Sequence, residues 1–202
     1  MKRLTNLIVL CVGLLVAASA FAQTATVNSL ANITNKGATY QAAVTGLVLV
    51  ASPTDSVVIV GSATKTVYVK SVRLTCTLTT AAQAVVHLYK RSTADTVVSA
   101  TALTAVPLDS SDSAATATVN TYVSGTAANP TTGTGVIFDT ELLSMLAPGT
   151  AAGGRSILSR DWGLGMDRYV TLRGVAQSLA INFGGATLTG GTCNVAVSWI
   201  ER

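Results

Sequence analysis

Asp109 and Asp112 flank two serines in PLDSSDSAA, a spacing suited to holding a hard cation. Calcium gathers several oxygen ligands from carboxylates, carbonyls and water, and a short Asp/Ser loop can begin such a shell. The same residue types also build a capped turn, because Asp and Ser side chains accept hydrogen bonds from nearby backbone N–H groups. The turn is the simpler expectation, and Asp109 and Asp112 stand beside it as calcium candidates. A second carboxylate pair, Asp161 and Asp167, brackets Gly163 and Gly165 in RDWGLGMDR. Glycosidases need two carboxyl groups at a fixed separation, but Arg160 and Arg168 flank this pair and favour a strand-connecting loop. Trp162 in that loop and Tyr122 upstream offer rings that can stack on a ligand such as a surface glycan.

Histidine chemistry is nearly absent. His87 is the single histidine, and it alternates with Val85 and Tyr89 on the face opposite Ala84, Val86 and Leu88. That pattern predicts a half-exposed structural residue rather than a triad member or zinc ligand. The chain contains no G-x-S-x-G elbow, no phosphate loop and no H-E-x-x-H. The reading is non-enzymatic, with no cofactor.

Three cysteines remain to be placed. Cys11 lies in an apolar N-terminal run and lacks the small preceding residues of a lipidation site. Cys76 follows Val72 and Leu74 on one strand face, and Cys193 precedes Val195, Val197 and Trp199 on another. Both thiols point at the core, where cysteine packs as a small hydrophobe. An even pair in an exported chain permits one disulfide, and spacing alone leaves open whether the two meet.

Residues 1–22 carry the layout of a secretory signal. Lys2 and Arg3 precede the apolar run LIVLCVGLLVAA, and small residues stand before Gln23. The run is short for a membrane span. Cleavage after Ala22 is the main expectation, with an uncleaved apolar N-terminal segment as the alternative. A cleaved signal implies export to the periplasm or medium and no stable membrane span.

With Lys2 and Arg3 set aside from thirteen basic residues, eleven face nine acidic ones, scattered singly or in pairs. No run could track phosphates, which argues against nucleic-acid binding. Charged residues are only 11% of the chain. A charge-poor Thr/Ser/Ala exterior suits a protein packed against copies of itself or against other structural subunits.

The elements that must position these residues follow a period of two. Candidate strands are Leu47–Ala51, Ser56–Val60, Thr66–Thr79, Ala84–Arg91, Ala115–Tyr122, Val136–Asp139, Arg155–Trp162, Arg168–Arg173, Ser178–Phe183 and Thr192–Ile200. Gly-, Asn- and Pro-containing turns separate them. Many short strands at this spacing predict an all-β, antiparallel β-sandwich of jelly-roll-like character. The inward face switches from Val67 and Val69 to Val72, Leu74 and Cys76, which predicts a bulge near Lys70-Ser71. Residues 23–55 read as an N-terminal arm and 56–202 as the sandwich. The segment 123–135 reads as a surface loop, and Glu141–Leu146 as a short helical turn. The core is expected from Val67, Val69, Val72, Leu74, Leu78, Val86, Leu88, Leu172, Leu179, Ile181, Val195, Val197 and Trp199.

Several segments together resemble a loosely defined group of phage- and prophage-encoded β-sandwich proteins. They are KTVYVKSV from Lys65, KRSTADTVVSATALTAVPLDSSDSAATATVNTY from Lys90, YVTLRGVAQSLAINFGGATLTGG from Tyr169, and the terminal VAVSWIER. The resemblance implies a virion surface part, of the decoration or head-fibre type or a minor structural subunit, that assembles as a homo-oligomer. It carries over no catalytic residues. The N-terminal signal departs from that pattern, because virion parts assemble inside the cell. The alternative expectation is a secreted adhesion or carbohydrate-binding module using Trp162, Tyr122 and Asp109.

Overall fold

In the computed structural model the described residues are 37–48, 55–78, 82–95, 100–122, 133–145, 156–162, 169–184 and 190–202, and Gly37–Arg202 forms one compact unit. The expected signal and the loop at 123–132 lie outside them, as do the Cys11 and Asp167 positions.

Twelve strands are present: β1 (Ala38–Val48), β2 (Asp55–Val60), β3 (Thr66–Thr77), β4 (Ala82–Arg91), β5 (Thr101–Leu103), β6 (Val106–Pro107), β7 (Thr118–Thr121), β8 (Gly135–Met145), β9 (Ser156–Asp161), β10 (Val170–Arg173), β11 (Ser178–Asn182) and β12 (Thr192–Glu201). One sheet runs β10-β3-β12-β1-β6, with β9 beside β10 on the same flank of β3. The other runs β5-β7-β2-β11-β4-β8. Every pairing is antiparallel. β1 to β4 alternate between the sheets, and the later strands return so that β12 lies beside β1 and β11 beside β2. This winding is a jelly roll.

The inward alternation builds the core as read from the sequence. All the residues expected there are buried, and Tyr40, Ile59, Leu143 and Leu158 join them. Tyr40 stacks on Trp199 with centroids 5.8 Å apart. The face switch in β3 has the expected cause. Ser71 pairs with Ser198 and Val69 with Trp199, so Lys70 is the extra residue of a bulge. On either side of it, Val69 and Val72 both reach the core.

Two expectations are corrected. The arm proposed for residues 23–55 contains β1, which lies between β12 and β6 inside the sheet. Its alternation was muted because Ala43 faces out while Ala42 faces in, giving no polar contrast at that step. Of the expected strand Leu47–Ala51, Leu47 and Val48 belong to β1, and residues 49–51 lie outside the described residues. The helical turn at Glu141–Leu146 is instead strand through Met145. Leu143 is buried opposite Ala84 and Glu141 bonds Arg160, so tertiary contacts override the helix-favouring Glu-Leu-Leu run.

The excursion β5–β7 wraps the β1/β2 flank. Its return is pinned by Glu201, whose carboxylate accepts from Thr116 N (3.0 Å), Thr116 Oγ1 (2.7 Å), Ala117 N (2.9 Å) and Trp199 Nε1 (3.0 Å). Lys65 Nζ lies 3.6 Å away. Burial pushes this carboxyl up, and the donors from Ala117, Thr116 and Trp199 outweigh it, so its pKa falls below the ordinary value. The opposite flank is closed by Arg160 of β9, which donates to Asp139 and Glu141 of β8.

Candidate functional site

The densest buried polar chemistry lies on the outer face of the β5-to-β8 sheet. In β4 the odd positions His87, Tyr89 and Arg91 point outward, because Val86 and Leu88 occupy the core. In β11 the outward positions are Ser178, Ala180 and Asn182, opposite Arg91, Tyr89 and His87. Asp55 joins them through a second bulge. Ile181 pairs with Val57 and Asn182 with Asp55, which passes over Ser56 and turns Asp55 to the outer side.

Arg91 lies over the Tyr89 ring, 4.1 Å from its centroid, and forks onto Asp55. Its Nε donates to Oδ2 at 2.8 Å and its Nη2 to Oδ1 at 2.7 Å. Asn182 Nδ2 adds a third donor to Asp55 at 2.8 Å. The remaining guanidinium arm donates to the Gly133 carbonyl at 2.9 Å. The pair is buried, and a bidentate fork with both carboxylate oxygens engaged is the geometry that offsets desolvation.

Beside this network lies a cleft of about 300 Å³. Val58 and Val60 line it from the sheet, with Ser178, Asn120 and Tyr122, and Asp95 faces them from the segment after β4. Asp95 Oδ1 accepts from Gly133 N at 2.7 Å. Its Oδ2 is buried without a hydrogen-bond partner, and so is Ser178 Oγ. Burial pushes the Asp95 carboxyl up. The Gly133 N–H opposes this, Asp55 adds to it and Arg91 pulls the other way, leaving the pKa raised. The Tyr122 hydroxyl is pushed up to about 12 by burial and by the nearby Asp95 and Asp55 charges.

The residues singled out from sequence do not come together. Tyr122 is no loop platform: it is buried against Val58 and Ala180 on the outer sheet face. Trp162 is half-buried beside the core, its ring 5.9 Å from Phe138, and its N–H donates to the Lys70 carbonyl. Asp109 sits in an exposed turn, where one carboxylate oxygen accepts from Ser111 N (2.9 Å) and Ser111 Oγ (2.7 Å). Those two bonds hold its pKa below the ordinary value. Asp112 closes the same turn by donating its N–H to the Asp109 carbonyl at 3.0 Å. Among the described residues no group of three or more His, Cys, Asp or Glu could hold a metal ion. Asp109 and Asp112 thus form the capped turn that was the simpler expectation. His87 is half-buried, with Nδ1 3.1 Å from Thr140 Oγ1. Arg160 pairs with Asp139 and Glu141 of β8.

Cys76 and Cys193 are direct partners on β3 and β12, with Cα atoms 4.1 Å apart, and their sulfurs are bonded. The Asp55–Arg91–Asn182 network went unread in the sequence. The signal for it was an Arg closing the outward run His87, Tyr89, Arg91, but its acceptor lies 36 residues away.

Compared with family models, curated proteins and solved structures, the chain has no match.

Proposed function

We propose that the protein is a non-enzymatic structural subunit of the virion-surface type, which packs edge to edge with copies of itself. One observation carries this reading. Among the described strands, the long β8 pairs only with β4 and so forms one edge of its sheet. It exposes Val136 (66%), Ile137 (46%), Phe138 (39%) and Leu142 (57%). Edge strands are ordinarily blocked by charge, Pro or extreme shortness. β8 has neither Lys nor Pro, and its two carboxylates are both engaged by Arg160 within the same chain, which leaves the strand a single net negative charge. On the outer face of the other sheet, the β1–β12 stripe Gln41, Ala43, Asn194, Ala196 and Ser198 is uncharged, and Arg73 of β3 borders it opposite Ala196.

The buried Cys76–Cys193 bond supports assembly in an oxidising compartment, in keeping with the signal-like N-terminus. The glycan-binding alternative has less support, since Tyr122 is buried and Asp109 spends one carboxylate oxygen on its own turn. Capsid and lectin domains both use jelly rolls, so the fold by itself does not choose between the two readings. Light scattering coupled to gel filtration tests the proposal. The wild type should be oligomeric at micromolar concentration, and Ile137→Lys with Leu142→Lys should give monomers. A monomeric wild type refutes it.

A further inference from the structure

The cleft beside Arg91 holds an unmatched anion. Asp95 contributes a carboxylate with one oxygen lacking a hydrogen-bond partner, and Ser178, only 2% exposed, contributes an unpartnered hydroxyl to the same cleft. Among the described residues no Lys or Arg lines it. The nearest guanidinium, Arg91, is spent on Asp55 and the Gly133 carbonyl. Asp55 is spent in turn on Arg91 and Asn182. With Asp95 ionised the local charges sum to one uncompensated negative charge, and a bound cation would both offset it and hold the carboxyl in that form.

The wall opposite is aliphatic, formed by Val58 and Val60, with Val175 in the turn after β10. A divalent cation would need about six hard oxygen ligands, and the cleft offers a single carboxylate. A neutral polyol would satisfy the hydrogen bonds but leave the charge, and would set its hydroxyls against valine methyls. We propose that the cleft binds a primary alkylammonium group, with the ammonium donating to Asp95 and Ser178 and its methylene chain lying on Val58 and Val60. A lysine side chain of another protein and a free aliphatic amine share this chemistry.

The probe is n-butylammonium titrated into the full chain, followed by amide NMR, with n-butanol and butyrate as controls. Saturable shifts are expected at Val58, Asn120 and Ser178, with both controls binding at least tenfold more weakly. Asp95→Asn should weaken the amine at least tenfold, and Ser178→Ala about threefold. Val175→Trp, at an exposed turn position on the rim of the cleft, should abolish binding without touching the core, and it stands in if Asp95→Asn does not fold. An N-acetyl-lysine amide probe binding more tightly than butylammonium would assign the site to a protein lysine, and the reverse to a free amine. Butanol binding as tightly as the amine, or Asp95→Asn within twofold of wild type, overturns the inference. Either result leaves the self-assembly reading standing, because β8 lies outside this cleft.

Discussion

Glu201 is the residue whose removal should cost most for a single polar side chain. Glu201→Ala strips the acceptor from four donors: Thr116 N, Thr116 Oγ1, Ala117 N and Trp199 Nε1. Thr116 is partly exposed and can turn to water. Ala117 N and Trp199 Nε1 are buried, and each orphaned donor costs about 1–3 kcal/mol. With the lost charge-assisted bonds, the total is about 3–5 kcal/mol, a large fraction of a domain's stability. Glu201→Gln separates hydrogen bonding from charge. Its carbonyl oxygen can take the place of Oε1, which serves Ala117 N, Trp199 Nε1 and Thr116 N. Its amide then faces Thr116 Oγ1, which can turn to accept, and Lys65, which loses its counter-ion. The cost should be about 1–2 kcal/mol.

The pH dependence has a definite sign. Because the folded carboxyl is held below its ordinary 4.5, its stabilisation is fully present above that value and disappears as pH falls through the lower folded value. Wild-type stability should therefore drop below about pH 4.5 more steeply than that of Glu201→Gln. Urea unfolding followed by tryptophan fluorescence from pH 3 to 7 measures all three proteins. A Glu201→Ala cost under about 1 kcal/mol, or a Gln variant no better than Ala, would refute the reasoning.

Two further outcomes follow from covalent and ionic links across the sheets. Replacing Cys76 and Cys193 together with Ala opens a loop of 117 residues, which by chain entropy alone is worth about 5 kcal/mol. The measured loss should fall at about 2–5 kcal/mol in urea, and reducing agent should destabilise the wild type but not the variant. Asp55→Asn and Arg91→Met each strand a buried charge and should cost about 3–5 kcal/mol, whereas the double variant should cost clearly less than their sum. Strict additivity in that cycle would mean the two side chains do not act as a pair.

The sandwich was legible because its core residues alternate over long strands, and even the Lys70 bulge showed as a change of parity. β1 escaped notice where Ala42 and Ala43 face opposite ways with the same chemistry. β8 was misjudged beyond Asp139 because Glu-Leu-Leu favours helix locally, while its pairing with β4 and the Arg160 contact are long-range. The polar sites were mostly hidden for the same reason: Asp55 and Asn182 are 127 residues apart. Glu201 was the exception that could have been read. It continues the inward series Cys193, Val195, Val197, Trp199, and a carboxylate on a core face requires donors waiting for it. Tyr122 and Trp162 were chosen as exposed aromatics, but ring chemistry does not reveal whether a neighbouring strand covers the ring.

The jelly-roll winding places the last-made strands at the centre of both sheets. β12 separates β1 from β3, and β11 separates β2 from β4. Neither sheet can close before β11 and β12 are in place, and β12 also carries the Glu201 anchor. Closure of the sandwich thus waits on its two most C-terminal described strands, whatever has formed earlier. The Cys76–Cys193 bond likewise cannot form until β12 lies beside β3, so the covalent lock comes after the pairing it secures.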